Sequence, residues 1–284
     1  MYNLLPFIEQ QNLRDLGTGM AFGSAGRQAA LTTLIQTRVD TYLCPSRGIT
    51  ALPLTIWNSP VKNMGTWVRP IAKTTGLFRG DYAANSGTTK YWDGAEWFDP
   101  DGPNALTGNY SGAEAGFKSS VAVSPMDFCS PPSNGLEYNR VLRCQDGTIF
   151  IRSQLKLSKI EDGTSNTYLI GEKNMNPNEY SGGIDVNDDD FSRATNQAAY
   201  CGYEWDNQRV AWSWLWDRTT NQENFQPLPD TVGLKVTNLW GSAHPGAFHM
   251  AYCDGSVQTV NYDVDPLVHS YSASRADGQA IPSN

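Results

Sequence analysis

The dipeptide Asp254-Gly255 lies between two runs in which apolar and polar residues alternate. Asp-Gly in this setting is a strong short-range signal for a β-hairpin, because a type I′ turn needs a positive φ angle at both of its central residues. A two-residue turn there pairs Tyr252 with Val257 across the hairpin. The sequence therefore predicts a C-terminal β-hairpin with one largely apolar face, made of Phe248, Met250, Tyr252 and Val257.

His244 precedes Asp254 by ten positions in the segment HPGAFHMAYCDGSV. The two polar residues are candidates for a chemical pair, as in a metal-assisted hydrolase. At about 3.3 Å per residue, however, an extended strand holds them roughly 30 Å apart. We therefore expect His244 near the open end of the hairpin and Asp254 in its turn, and the hydrolase is the least favoured hypothesis.

The N-terminal part of the chain predicts helices, and two later segments predict strands. LLPFIEQQNLRDL carries apolar residues near a helical period and is followed by Gly17. Residues 27–39 place an apolar stripe on one face of a second helix. The segment TYLCPS predicts a short strand that Pro45 ends, and TYLIGEK predicts an apolar strand after the turn EDGTSN.

Residues 87–147 are rich in Gly, Asn, Ser and Pro, and their aromatic residues follow no sustained period. This composition predicts a loop-rich insertion within a single globular domain spanning residues 1–284.

The chain has five cysteines and no CxxC pair, which disfavours a structural zinc site. Cys129 and Cys144 flank an irregular stretch of the insertion, and a disulfide between them is one candidate; five buried free thiols are the alternative.

Charge and hydropathy exclude two classes of function. The formal net charge of -8 and the lack of a basic run disfavour nucleic-acid binding, since phosphate contacts need clustered Lys and Arg. No apolar stretch approaches the roughly 20 residues of a membrane-spanning helix. The sequence as written is that of a soluble chain.

Other ligand and enzyme signals are weak. Asp185, Asn187 and Asp189 have the one, three, five spacing of a calcium loop, but Asp190 and Asn196 stand where an EF-hand has Gly and Glu. A solvated acidic loop is the favoured interpretation, with calcium as the alternative and no other cofactor expected.

Nine Trp and thirteen Tyr allow a carbohydrate-stacking surface, although core packing is commoner. No nucleophile elbow, zinc-protease motif or phosphate loop is present, so the protein is not expected to be an enzyme.

Several segments together resemble the bacterial prepilin-type, processing-associated proteins, which are related to the pseudopilins of type II secretion. SAHPGAFHMAYCDGSVQTVNY is similar to their C-terminal signature, in which nine residues separate a His from Asp-Gly. LLPFIEQQNL, YLCPS, GDYAANSGT, KIEDGTSNTYLIGEK and GYEWDNQR resemble further family segments, in the family's order. Arg47 stands where the family often has Asp. The family-motif positions carried over are His244, Pro245, Gly246, Asp254 and Gly255.

The resemblance implies an α+β fold: a pilin-like head with N-terminal helices packed on an antiparallel sheet, long loop-rich insertions and the C-terminal hairpin. It also implies a non-enzymatic assembly role on the periplasmic or extracellular side of the bacterial envelope. The expected partners are other pilin-like subunits or secretion-system proteins. The family's leader, Gly-Phe-Thr-Leu-Ile-Glu site and apolar helix are absent from this sequence. We expect the chain to be the head of a longer protein that is anchored in the inner membrane by that helix.

Overall fold

The computed structural model of the protein describes residues 1–49, 76–89, 146–149, 153–180, 198–200, 206–213, 225–234, 239–279 and 281. The chain divides into two units. Unit 1 comprises Met1–Tyr82, Met175–Asn207 and Asp230–Thr237, and unit 2 comprises Ala83–Asn174, Gln208–Pro229 and Asn238–Asn284. None of the helices in the described part of the chain has the length and apolarity needed to cross a bilayer. The single-domain assignment stays a prediction.

Unit 1 begins with short helical segments. A 3₁₀ helix spans Tyr2–Ile8, helix α1 spans Gln11–Arg14 and helix α2 spans Ala25–Gln36. The first two were predicted as one helix, but Glu9 between them adopts a left-handed φ of 60°. Helix α2 begins where the Ser24 side chain accepts a hydrogen bond from the Arg27 N–H, as an N-cap does.

The strand predicted for TYLCPS does not form. Its first two residues belong to the 3₁₀ turn Asp40–Tyr42 and its last two to the 3₁₀ turn Pro45–Arg47, with Leu43 and Cys44 between the turns. Between them the Cys44 N–H donates to the Asp81 carboxylate at 2.7 Å, so this backbone group is satisfied by a side chain rather than by a neighbouring strand. A third 3₁₀ turn of unit 1 spans Pro177–Glu179.

The core of unit 1 consists of apolar side chains from the N-terminal helices and from the short described stretches that follow. Its buried members are Leu5, Leu13, Leu31, Leu34, Ile35, Val39, Tyr42, Leu77, Phe78, Ala198, Ala199 and Tyr200. The stripe predicted for the second helix contributes Leu31, Leu34 and Ile35 to this core.

Unit 2 is built on a five-stranded sheet with the order β4-β1-β3-β8-β9. The strands of this sheet are β1 Tyr82–Asn85, β3 Tyr168–Glu172, β4 Gln208–Arg209, β8 Ala247–Tyr252 and β9 Val257–Asn261. Strands β3, β8 and β9 pair antiparallel, whereas β1 and β4 pair parallel. The sheet is therefore mixed, and the prediction of a wholly antiparallel sheet is wrong. A tight hairpin turn joins only antiparallel strands. Strands β1 and β4 can pair parallel because a long stretch of chain separates them.

Two smaller parallel pairs and two helical segments complete the elements described in unit 2. The pairs join β2 Thr88–Thr89 to β5 Trp212–Ser213 and β6 Leu228–Pro229 to β7 Gly241–Ser242. A 3₁₀ turn spans Leu157–Lys159 and helix α3 spans Pro266–Ala273, capped by the Asp265 side chain. Helices beside a mixed sheet place the protein in the α+β class.

The hairpin β8–β9 forms, but its turn differs from the predicted one. Ala251 pairs with Val257, and the Gly255 N–H donates to the Tyr252 carbonyl at 3.0 Å, which leaves a three-residue loop. Gly255 has a φ of 88°, whereas Asp254 is not among the residues with positive φ. A type I′ turn would require a positive φ at Asp254, which is strained for a residue other than glycine. In the longer loop Gly255 takes the positive φ and Asp254 does not.

The extra loop residue moves strand β9 by one position relative to the prediction. Because side chains alternate between the faces of a strand, this slip exchanges the two faces of β9. Phe248, Met250 and Tyr252 are buried as predicted, but Val257 is 67% exposed. Val260, paired with Phe248, takes the core position instead and is 7% exposed.

The ends of the predicted insertion lie against each other in unit 2. A Cβ atom added to Gly87 would lie 2.2 Å from the Gly147 nitrogen, so the two backbones meet too closely for any side chain. Next to them, the buried Asn85 amide donates to the carbonyls of Tyr168 (2.8 Å) and Ala273 (2.9 Å). Strand β1, strand β3 and helix α3 are thereby joined at the point where residues 87–147 begin and end.

Candidate functional site

A bend over residues 243–246 precedes strand β8 and carries His244. The His244 N–H donates to the Ser242 hydroxyl at 3.1 Å, and the His244 carbonyl accepts from the Tyr262 hydroxyl at 2.9 Å. Pro245 and Gly246 lie within the bend, which directs the chain into the strand. The hydroxyls of Ser242, before the hairpin, and Tyr262, after it, therefore hold the His244 backbone in place.

The side chain of His244 faces Glu172, the last residue of strand β3. Its Nε2 lies 3.5 Å from Oε1 of Glu172. The second carboxylate oxygen, Oε2, lies 3.1 Å from Nδ1 of His249 and accepts the His249 backbone N–H at 2.7 Å. The two imidazole rings are 5.2 Å apart, centroid to centroid, and nearly perpendicular. One carboxylate thus stands between two imidazoles, and we call these three residues the Glu-His-His cluster.

Strand pairing brings the cluster together. Gly171 of β3 pairs with Met250 of β8, so the next residue of β3 and the preceding residue of β8, Glu172 and His249, also come to face each other. The Glu172 side chain is only 3% exposed, while those of His244 and His249 are 34% and 49% exposed. The cluster therefore joins a buried carboxyl group to two partly exposed imidazoles.

The sequence motif marks one member of the cluster, His244, and does not mark His249 or Glu172. In the predicted hairpin His249 points away from the Phe248 face, which favours an ordinary surface or strand role, whereas in the structure it binds Glu172 through both its ring and its backbone. The sequence predicts Glu172 only as part of the strand TYLIGEK. The available signal was the ionisable residue at the end of an otherwise apolar strand, since a buried carboxylate needs partners.

Asp254 has separate partners at the far end of β8. The Ser256 N–H donates to its Oδ1 at 2.8 Å, and this hydrogen bond lowers the pKa of the exposed Asp254 carboxyl below its usual value. Six strand residues, about 20 Å at 3.3 Å each, lie between this turn and the bend with His244. The structure does not bring His244 and Asp254 together, so the alternative pair for hydrolysis is not assembled.

Aromatic side chains form the core directly behind the cluster. Phe248 stacks on Trp240 and lies edge-on to His269, whose Nδ1 is 3.1 Å from the Tyr168 hydroxyl. Burial lowers the pKa of His269 to about 3, so this third histidine is neutral at physiological pH. The other buried members of this core are Ala83, Ala211, Met250, Tyr252, Val260 and Ala273.

The remaining predicted sites lie largely outside the described residues. This holds for the calcium candidates Asp185, Asn187 and Asp189 and for the disulfide candidates Cys129 and Cys144. They stay predictions. Of the Trp residues considered for carbohydrate stacking, Trp240 is fully buried and Trp214 falls outside the described part of the chain.

Comparison with known proteins gives one match. A family model described as "Protein of unknown function (DUF1559)" matches residues 1–267. Neither the curated proteins nor the solved structures contain a match to the chain. The matched range includes the Glu-His-His cluster and the turn at Asp254.

Proposed function

The chain belongs to the DUF1559 family of proteins of unknown function, and we propose that it is a structural subunit of a pseudopilin-like assembly in the bacterial cell envelope. Such a head acts through protein contacts and catalyses no covalent chemistry. The proposal is supported by the resemblance of its segments to prepilin-type proteins. Its partners are other pilin-like subunits or components of a type II secretion or type IV pilus-like system.

The observation that carries the proposal is a group of large apolar side chains exposed near the start of unit 1. Phe7, in the 3₁₀ helix Tyr2–Ile8, is 84% exposed, and Phe22, just before helix α2, is 65% exposed. Leu4 and Met20 are exposed as well. Large exposed apolar residues that recur within one short region are typical of protein–protein contact surfaces.

The hydrogen bonds of the family-motif residues support a structural role for the motif. Asp254 and Gly255 form the turn of the hairpin, and His244 is held in the bend that enters it. In this role the motif specifies the register of β8 and β9, and with it the faces of the sheet. Envelope placement follows from the proposed assembly, with the head on the periplasmic or extracellular side of an inner-membrane helix.

Site-specific photocrosslinking in the native bacterium tests this function. A photoreactive phenylalanine analogue replaces Phe7 or Phe22 in turn, and crosslinked partners are identified by mass spectrometry. We expect both positions to capture pilin-like subunits or secretion-system proteins. Val232 is a matched control in unit 1, because it is 66% exposed and lies in a different segment.

Two results would count against the proposal. One is the absence of crosslinks at Phe7 and Phe22 in cells that contain the full-length protein. The other is equal capture of the same partners from Val232, because a surface specific to the N-terminal segment would not give that result.

A further inference from the structure

The Glu-His-His cluster has the donor set of a transition-metal site, and we propose that it binds a divalent ion of the zinc class. Glu172 supplies a carboxylate oxygen, and His244 and His249 each supply a ring nitrogen. Two histidines and one carboxylate are a frequent ligand set for such ions. The site uses none of the residues of the proposed protein-contact surface, so the two proposals are independent.

The separation of each imidazole from the carboxylate is of the size found between two ligands of one ion. For ligand bonds of about 2.0–2.1 Å at a tetrahedral centre, neighbouring ligand atoms lie roughly 3.3 Å apart. The two nitrogen–oxygen separations lie on either side of that value: His244 Nε2 is 3.5 Å from Oε1 of Glu172, and His249 Nδ1 is 3.1 Å from Oε2. Each carboxylate oxygen thus faces one imidazole. The same geometry places the centroids of two coordinated imidazoles roughly 5 Å apart, and those of His244 and His249 are 5.2 Å apart.

The charges of the cluster also favour a cation. A buried carboxylate such as that of Glu172 is costly unless a positive charge or several hydrogen-bond donors face it. The His249 N–H provides one donor, and the two ring nitrogens face the carboxylate at 3.5 and 3.1 Å. A divalent ion between the carboxylate and the two ring nitrogens would neutralise the buried charge, while the half-exposed rings leave a path for its entry and a fourth position for water.

The backbone around the ligands is held in place, as expected for a preformed site. His244 is fixed by the Ser242 and Tyr262 hydroxyls, and those two hydroxyls lie 3.0 Å from each other. His249 lies in the middle of β8, where its backbone pairs with Thr259 of β9. Outer groups that orient the ligands in this way raise metal affinity because less order has to be created on binding.

Zinc titration of the tag-free, chelator-treated full chain tests the proposal, with a chromogenic zinc indicator as competitor. We expect one Zn²⁺ per chain. Glu172→Gln and His249→Asn should each weaken binding by at least about tenfold, because each removes one ligand. Asp254→Asn is the matched control, since it changes an exposed carboxylate in the same hairpin and should leave the affinity unchanged.

Two further readouts use the wild-type chain and so do not depend on the folding of a variant. Zinc should shift the ring resonances of His244 and His249 in NMR spectra and leave those of the buried His269 in place. Cobalt(II) in place of zinc should give the visible absorption of a tetrahedral site without a thiolate charge-transfer band. The proposal is wrong if both ligand variants keep wild-type affinity, if the His244 and His249 rings do not respond, or if thiolate absorption identifies cysteines as the ligands.

Discussion

Arg47 shows how one side chain organises unit 1. Its guanidinium is fully buried between two carboxylates: Nε and Nη2 lie 2.8 and 3.2 Å from the two oxygens of Asp230, and Nη1 lies 3.2 Å from Asp81. Burial alone lowers the pKa of Arg47, but the charges of Asp81 and Asp230 outweigh it and raise that pKa above its usual value. The Tyr180 hydroxyl also donates to Asp230. An Asp at position 47 would place a third negative charge in this network.

Replacing Arg47 by Met should destabilise the protein by about 3–5 kcal/mol, because it leaves two buried carboxylates without their cation. Urea denaturation followed by circular dichroism measures this change. Arg38→Met is the matched control, because Arg38 forms an exposed pair with Asp40 and its loss should cost less than about 1 kcal/mol. Similar losses for the two variants would contradict the importance of the buried network.

His269 should make unit 2 sensitive to acid. Its pKa is about 3 in the folded protein, against about 6.5 in an unfolded chain. Between these values the unfolded state binds one more proton, so stability falls with decreasing pH by about 1.4 kcal/mol per unit. Between pH 7 and pH 5 the wild type should therefore lose about 2 kcal/mol more than His269→Gln, which has no titrating ring.

The unfolding free energy of both chains, measured at pH 7 and pH 5, checks this. The comparison cancels the contribution of the carboxylates, which are the same in both chains. Parallel losses in the two chains would show that His269 does not carry the acid sensitivity.

At the level of elements, the register of the hairpin predicts which valine matters. Val260→Thr should cost about 1–3 kcal/mol, because it buries a hydroxyl without a partner in the aromatic core. The same change at the exposed Val257 should stay within about 0.5 kcal/mol. Thermal or urea unfolding of the two variants checks this, and the opposite order of effects would favour the two-residue turn predicted from the sequence.

The elements that the sequence predicts correctly are those specified by local pattern. Helix α2 has an apolar stripe and a Ser24 cap, and strand β3 is an apolar run after a turn. The first helix is interrupted at Glu9, where neither Gly nor Pro marks a break, and the strand predicted around Cys44 is replaced by turns that depend on Asp81, a residue distant in the chain. Local propensity has no information about such a partner.

The residues of the candidate site also divide into those that a local pattern predicts and those that depend on a partner distant in the chain. The motif itself identifies His244, the bend and the turn. Glu172 lies more than seventy positions before His244, and its place in the cluster depends on the register between β3 and β8. That register was not predictable from the hairpin alone, and a one-residue slip would have turned Glu172 to the other face.

At the level of the whole molecule, each unit has its own hydrophobic core. The buried cluster of unit 1 and the aromatic cluster of unit 2 have no residue in common. A separate core is the physical basis on which a unit can open or unfold by itself. We therefore expect each unit to have its own free energy of unfolding. A core substitution should lower that free energy mainly in the unit that contains it.

Native-state hydrogen exchange with a pair of core variants tests this distribution. Ile35 and Met250 are both fully buried, Ile35 in unit 1 and Met250 in unit 2. Truncation of either to Ala should cost about 3 kcal/mol, which corresponds to roughly hundredfold faster exchange of the most protected amides. We expect Ile35→Ala to accelerate exchange in α2 and leave β8 protected, and Met250→Ala to do the reverse. Acceleration of both elements by either variant would instead support the single cooperative domain that the sequence predicts.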